Sequence, residues 1–408
     1  MHKYDFLIIG GGIAGTTAAE TIRRKDASTT VAVIEDEPHF LYSRVFLPAF
    51  ARGEIGRERV MLRSLADYEK KRIDLYLSER ALHVDFLRQE CRTSTGNIFA
   101  YKKLLIAAGG RVAPWEFEND AGDRLLRLQR LEDAERIRAL GAAGQLKRAV
   151  VIGAGFIALE FLNIFRAYGA ETTLLYREEH FWKGRVDREG AALFSAEFAK
   201  NRIEERAGDD VYRITHTGEG LQIVTKKGMQ IEADVVAVGN GIRRNMELGM
   251  GTLQTGEGIK VNEFLETNVA GVWAAGDSAE YFDACAGKWK TVGNWTHGFL
   301  TGRIAGVNML GGVEAFLAVP AYSITALGNV LTVVGEAGEG ENISAVARFD
   351  SRERKYSRFF LQNGKIIGAV LINSFQAKPA LAKLIESRKD FSGREGVLAD
   401  PRRDLATL

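Results

Sequence analysis

Three kinds of position in this chain have the residue types to do chemistry: glycine turns that a phosphate can approach, charged residues at strand ends, and the cysteines. The first glycine turn is Gly10-Gly11-Gly12-Ile13-Ala14-Gly15, with G-x-G-x-x-G at Gly10, Gly12 and Gly15. Gly10 permits the tight turn, Gly12 lets the backbone approach a pyrophosphate, and Gly15 lets helix and strand pack closely. The N-terminus of the helix that follows offers free N–H groups and a partial positive charge to the phosphates. Glu35, about twenty residues on, can accept both hydroxyl protons of an adenosine ribose, and Asp36 stands beside it. A second turn, Gly153-Ala154-Gly155-Phe156-Ile157-Ala158, reads G-x-G-x-x-A, with an alanine that helix–strand packing tolerates. In this copy the strand-end position is Tyr176, followed by Arg177 and, shortly after, Lys183. An acid there would repel a 2′-phosphate, whereas an arginine pairs with it, so the reading leans to NADPH over NADH. Glu178 and Glu179 weaken the local field, and solvated charges at a strand end are the other reading.

The elements that must position these residues are legible as patterns. Asp5 to Ile9 is a short apolar run of the fully buried kind, and Thr30 to Ile34 is a second. Between them Ala14, Ala18 and Ile22 mark one side of a helix. Strand, glycine turn, helix, strand and acid then complete a dinucleotide-binding unit. Leu62 to Lys71 reads as a helix, Ile73 to Val84 as a strand, and Glu90 to Tyr101 as two short strands joined near Gly96. Leu104-Leu105-Ile106-Ala107-Ala108-Gly109-Gly110 is a buried strand whose small-residue ending suits close backbone approach to a ligand. After Pro114 the pattern restarts. A helix over Leu131 to Gly141 precedes the strand Arg148 to Ile152 and the helix that continues to Tyr168, with Gly169 at its end. Glu171 to Tyr176 is the next strand. The repeat of a whole unit means two dinucleotides, or one dinucleotide and one relic. Val211 to Val238 reads as short strands turning at Gly218, Gly220 and Gly228, closing on Gly239. Gly271 to Asp277 is a buried strand that delivers an aspartate onto the turn at Gly276; beside a dinucleotide, Asp277 can accept a hydroxyl proton from a polyol chain. A helix starts near Trp295, and His297 at its start reads as a surface or capping residue. In the last ninety residues, Tyr322 to Val334 and Ile343 to Phe349 read as strands. Lys355 to Leu361 and Lys365 to Ile372 form a hairpin over Asn363-Gly364, and Ala377 to Ser387 is a helix.

Composition bounds the rest. At 408 residues the chain holds two or three domains, and 46% hydrophobic with 26% charged residues suits a large core. A net charge of +2 implies no polyanion-binding surface, so nucleic acid is not an expected partner. No apolar run is long enough to span a bilayer, and a buried strand starting at Asp5 leaves no room for a signal peptide. The two cysteines, Cys91 and Cys285, exclude a disulfide scaffold and a cysteine-built metal or iron–sulfur site, and suit a reducing cytoplasm.

The motifs GGGIAG, LLIAAGG, GAGFIALE, GVWAAGD and the tail YSRFFLQNGKIIGAVLI, in this order, resemble the FAD-dependent pyridine nucleotide-disulfide oxidoreductase superfamily over nearly the whole chain. The resemblance is greatest to the NAD(P)H:rubredoxin and ferredoxin reductases and the flavin-binding part of the nitrite reductase large subunit. It implies an α/β fold of the glutathione-reductase-like kind. Residues 1–112 and 248–318 would form a discontinuous FAD-binding Rossmann-like domain, 113–247 an NAD(P)H-binding one, and 319–408 a small α+β C-terminal domain. On the FAD side it implies Gly10, Gly12, Ile13, Ala14, Gly15, Glu35, Asp36, Ser43, Arg44, Ala81, Ala107, Ala108, Gly109, Arg111, Gly276, Asp277 and Trp295. Of these Glu35 would hold the ribose, Ala81 would meet the adenine, Asp277 the ribityl chain, and Arg44 and Trp295 would lie near the flavin. On the NADPH or NADH side it implies Gly153, Gly155, Phe156, Ile157, Glu160, Tyr176, Arg177, Lys183 and Gly239, with no separate catalytic acid or base.

Departures from the family pattern matter as much. Its disulfide reductases carry paired cysteines, and its peroxidases, oxidases and coenzyme A disulfide reductases a single one, in the segment that is here Tyr42 to Phe50. That segment has none. The expected reaction is hydride transfer from NAD(P)H to FAD, with electrons then leaving directly for a small electron carrier such as rubredoxin or ferredoxin, or for an iron–sulfur subunit. Two other readings stand beside it: an oxidase or diaphorase that reduces oxygen or a small molecule, and a flavin relay within a larger complex. The segment His39 to Ile55 reads either as a helix-capping loop or as cover for the cofactor. The family's dimer does not carry over to so short a C-terminal region, so the oligomeric state is open.

Overall fold

The computed structural model describes residues 1–408. The chain divides into two compact units. The first comprises residues 1–45, 57–111 and 242–320; the second, residues 46–56, 112–241 and 321–408. The second unit thus takes in 46–56, which the sequence reading placed with the first region, and 321–408, which it set apart.

In the first unit the strands Asp74–Tyr76, Val31–Ile34, His2–Ile9 and Ile98–Ile106 lie side by side and parallel. Val272–Ala274 pairs in parallel with the end of Ile98–Ile106, beyond the stretch where Glu90–Thr93 pairs with it antiparallel. Leu7 sits between Ala32 and Leu104, Ile8 between Val33 and Leu105, and all six are buried. A run of apolar residues without alternation fits a sheet covered on both faces. The helix Ile13–Lys25 packs on the helix Trp295–Met309 through a glycine stripe. A Cβ at Gly302 would overlap the Ala14 carbonyl, and one at Gly298 or Gly306 would crowd Ile13 or Ala18.

The second unit repeats the plan. Leu125–Leu126, Val235–Val238, Arg148–Ile152, Glu171–Tyr176 and Ile203–Ala207 form a parallel sheet, beside a three-stranded antiparallel one over residues 211–233. Residues 321–372 build a five-stranded antiparallel sheet covered by the helix Lys378–Ser387. Its expected hairpin turns on Asn363 and Gly364, both left-handed at φ 50° and 72°, as a tight two-residue loop requires.

Four boundaries differ from expectation, each for a local reason. The strand expected over Ile73–Val84 is two, Asp74–Tyr76 and Ala81–Asp85, broken at Ser78 with φ 55°. Tyr322–Val334 is a hairpin, because Leu327 and Gly328, at φ 50° and 82°, reverse the chain. The helix expected from Leu62 starts at Leu65, where the Ser64 N–H donates to Asp67 Oδ2 at 2.8 Å. The second of the two short strands expected over Glu90–Tyr101 and the strand expected from Leu104 are one, Ile98–Ile106.

Candidate functional site

In the first unit the glycine turn has the shape a dinucleotide phosphate needs. Gly10 has φ 104°, and a Cβ there would overlap the Ala107 carbonyl. A Cβ on Gly12 would meet nothing within 4 Å, so the backbone there opens onto free space. No side chain caps the helix that starts at Ile13, whereas Asn294 and Asp187 cap other helices in the chain. The first N–H groups after Gly12 are therefore donors without a side-chain acceptor, and a phosphate is the group they suit. Glu35 sits across the turn: its Oε2 accepts the Gly11 N–H at 2.5 Å and its Oε1 accepts the Glu37 N–H at 3.0 Å. Burial, and then a hydrogen bond with Asp36, pushes its carboxyl up to about 7. Asp36 itself is exposed.

Ala107, Ala108 and Gly109 follow the central strand as expected. The Ala107 N–H donates to Ile9 at 2.8 Å, and Asn245 donates to the Ala108 and Gly109 carbonyls at 2.8 and 2.9 Å. Gly276 is left-handed at φ 69° and Asp277 follows it in a single 3-10 turn. Burial pushes the Asp277 carboxyl up to about 6, against the pull of Arg244 and Arg44. Arg44 donates to Glu37 Oε1 at 2.7 Å, while Tyr42 donates to Glu37 Oε2 at 2.7 Å, so this buried acid organises the segment. Ser43 is buried, Ala81 opens the strand Ala81–Asp85, and Trp295 opens its helix half-buried. Arg111 pairs with Glu247 at 2.6 Å.

His297 departs from expectation. It is 3% exposed, its ring lies on Tyr281 at 5.3 Å and edge-on to Phe316 at 5.2 Å, and its Nε2 has no hydrogen-bond partner. Burial holds it down at about 3, so it is a neutral packed ring at any ordinary pH. Asn294 does the capping, accepting the His297 N–H at 2.8 Å. Asn294→Ala is expected to cost about 1 kcal/mol in urea unfolding.

The second unit holds the other glycine turn. The helix Phe156–Ala167 is likewise uncapped by any side chain after Gly155. Gly153 has φ 105° and lies against Gly239, whose missing Cβ leaves room for Ala158. Phe156 packs edge-on to Trp182 and Tyr322, while Ile157 is 38% exposed. Glu160 sits one turn along this helix, and burial raises its carboxyl above the usual range against the pull of Arg52. The strand-end residues differ in exposure. Tyr176 is buried and donates to Glu205 at 2.5 Å, and Lys183 is paired with Glu179 at 2.9 Å. Arg177 is exposed.

Sequence reasoning missed Glu37, Arg52, Arg244 and the stripe Gly298, Gly302, Gly306. Only the stripe left a signal, a glycine at every fourth position of a helix. The others depend on which distant segments meet.

Known proteins resemble the chain over nearly its full length. The family model described as pyridine nucleotide-disulphide oxidoreductase matches residues 4–301, and that of the rubredoxin NAD+ reductase C-terminal domain matches residues 320–389. The epsilon subunit of the NADH-dependent phenylglyoxylate dehydrogenase of Aromatoleum evansii is 28% identical over 406 residues, covering 97% of this chain and 95% of its own. The ferredoxin–NAD(+) reductase component of the anthranilate 1,2-dioxygenase system of Burkholderia cepacia is 27% identical over 421 residues, covering 100% of both chains. The crystal structure of the ferredoxin reductase for the CYP199A2 system of Rhodopseudomonas palustris superposes with a TM-score of 0.89 at 25% identity, covering 99% of each chain.

Proposed function

The chain belongs to the pyridine nucleotide-disulphide oxidoreductase family, and from that premise we propose that it is an FAD-dependent NAD(P)H reductase of a small electron-carrier protein, of rubredoxin or ferredoxin type. The observation that carries this reading is the absence of a thiol where family members that use one keep it. Residues 42–50 hold Ser43 and Arg44 and no cysteine. Cys91 is fully buried in a strand, where burial pushes its thiol up to about 12, and Cys285 sits on a hairpin turn. With no sulfur relay, electrons leave the flavin for an acceptor that comes to it.

FAD, when bound, accepts hydride from a nicotinamide and releases electrons singly. The residues of the first unit bind it. The free N–H groups after Gly12 take the pyrophosphate, Glu35 accepts from the ribose hydroxyls, and Asp277 accepts from the polyol. Gly10, Ile13, Ala14, Gly15, Asp36, Ser43, Arg44, Ala81, Ala107, Ala108, Gly109, Arg111, Gly276 and Trp295 line the same site. The start of the Trp295–Met309 helix favours negative charge nearby. In the second unit Gly153, Gly155, Phe156, Ile157, Glu160, Tyr176 and Gly239 hold the nicotinamide nucleotide. Arg177, exposed at the strand end, and Lys183, exposed although paired with Glu179, select NADPH over NADH. Arg177→Ala is expected to raise KM for NADPH about tenfold and leave that for NADH unchanged, in steady-state assays with each nucleotide. The cytoplasm, where free thiols stay reduced, suits Cys91 and Cys285; no helix is long and apolar enough to cross a membrane.

Anaerobic titration of the FAD-loaded protein with NADH and NADPH, followed by mixing with rubredoxin and ferredoxin, tests this directly. Reduction of a one-electron carrier is expected. Failure with every carrier, or peroxide formed in step with nucleotide consumed, would replace it with an oxidase. A second arrangement, a flavin relay within a complex, is favoured by one finding: a relative of nearly the same length is the epsilon subunit of a dehydrogenase. Co-purification with an iron–sulfur protein and slow hydride transfer in isolation would identify that case.

A further inference from the structure

In the second unit, the C-terminal ends of the helices Phe156–Ala167 and Arg188–Lys200 and the sheet turns at 327–329 and 353–354 line a cavity of about 360 Å³. It lies at the opposite end of the helix Phe156–Ala167 from Gly155, ~16 Å along the axis, so it is separate from the glycine turn. Asn163 of that helix ties down the first sheet turn, donating to the Thr325 carbonyl at 3.0 Å and accepting the Leu327 N–H at 3.0 Å. Glu197, buried at the other helix end, ties down the second by accepting from Arg354 Nη2 at 2.9 Å. Leu327 and Arg354 are left-handed at φ 50° and 51°, a conformation such residues rarely take and one that collects at ligand sites.

The charges around this cavity do not cancel. Arg166, Lys200 and Arg354 face Glu197 and Glu353. Arg354 satisfies Glu197, and Lys355 stands 3.4 Å from Glu353. Lys200 is 3.6 Å from Glu197 and its side chain is 72% exposed, so it is free to swing. Arg166 is exposed and forms no ion pair. Cations in a last helical turn ordinarily answer unpaired carbonyls. Here carbonyls at both helix ends are taken: Gly169 N–H donates to Arg166 at 3.0 Å, Arg202 N–H to Ala199 at 3.1 Å, and Asn201 Nδ2 to Glu197 at 2.7 Å. Asn329, also in the lining, is 2% exposed. Its Oδ1 accepts from Asn373 Nδ2 at 2.9 Å, while its Nδ2 has no hydrogen-bond partner. A buried amide donor left empty is costly, and an oxygen acceptor beside it would gain accordingly. Surplus cations with an empty neutral donor suit an anionic oxygen group, in a volume typical of small-molecule sites. We propose that this cavity binds a small molecule through a phosphate or carboxylate group, with Arg166 and Lys200 supplying the charge and Asn329 Nδ2 a hydrogen bond.

The test is calorimetry on the full chain loaded with FAD and saturated with NADP+, so that the glycine turns are filled. Inorganic phosphate and succinate are titrated separately, with sodium chloride holding the ionic strength constant. At least one of them is expected to bind one per chain, with Kd of about 1 mM or tighter. Phosphate alone would identify a phosphate-bearing ligand, and succinate alone a carboxylate. Arg166→Met and Lys200→Met, both at exposed positions, should each weaken binding about tenfold. Asn329→Asp is isosteric and keeps the acceptor for Asn373, but it sets an anion in place of the empty donor, so binding should fall below detection. Retained flavin absorbance certifies each variant as folded. Arg166 is too far from the glycine turn to touch a phosphate held there, so its effect locates the site. No heat from either probe at about 10 mM, or binding that survives Arg166→Met or Asn329→Asp, overturns the proposal and leaves the dinucleotide sites untouched.

Discussion

Gly15→Ala is expected to yield a protein that holds no FAD. A Cβ at this position would overlap the Gly10 carbonyl oxygen and approach Ile8 Cγ2 at 3.0 Å. The first of these neighbours is backbone, so no rotamer change relieves it. The helix Ile13–Lys25 must retreat from the strand His2–Ile9, and its free N–H groups leave the position where they converge on a phosphate. Overpacking of this kind costs about 1–3 kcal/mol, and the loss of the phosphate site adds to it. We expect flavin absorbance per protein to fall by roughly tenfold or more, with a lowered urea midpoint. Gly12→Ala separates the two effects. Nothing lies within 4 Å of its would-be Cβ, so the fold should keep its midpoint while the methyl occupies the space a pyrophosphate needs. The second glycine turn is the natural control. Ala158 already carries a Cβ at the third position, and the fold admits it because Gly239 stands opposite. A Gly15→Ala protein that purified yellow with an unchanged midpoint would contradict this account.

Asp277→Asn is expected to make the flavin-free protein more stable at pH 8 and the FAD complex weaker. Burial raises the Asp277 carboxyl from 3.8 to about 6, because it outweighs the attraction of Arg244 and Arg44. The folded chain therefore binds this proton more tightly than the unfolded chain does. Stability from this group is present below pH 4, falls as pH rises from about 4 to 6, and stays low above that. The interval between the two pKa values corresponds to about 3 kcal/mol, which is the most that asparagine should recover at pH 8. At pH 4 and below the two proteins should unfold at nearly the same urea concentration. With FAD present the sign reverses: the carboxylate accepts a hydroxyl proton more strongly than an amide does, so the variant should bind FAD about tenfold less tightly. An Asp277→Asn apoprotein less stable than the parent at pH 8 would show that burial of this charge is not the dominant effect.

These two positions also show how far the sequence carries. The glycine turns, the acid after the second strand and the aspartate after GVWAAG were legible because each lies within a short contiguous run, where the backbone's needs choose the residue. The turn on Asn363-Gly364 was legible for the same reason. Ser78 and Leu327 were not: each takes a left-handed conformation that its residue type does not announce, and each splits an expected strand. His297 read as a surface or capping residue and is a buried ring, because Tyr281 and Phe316 arrive from elsewhere to cover it.

By itself the amino-acid sequence determined two glycine-turn units and an antiparallel sheet near the C-terminus. Those follow from backbone geometry and from which residue types are present, and neither needs a third dimension. Only the tertiary structure decided that residues 46–56 join the second unit and bring Arg52 to Glu160, that Glu37 gathers Tyr42 and Arg44, and that Asp277 is buried enough to hold its proton near pH 6. Side-chain partners and solvent exposure depend on segments far apart in the chain, and distance along the sequence carries no record of them.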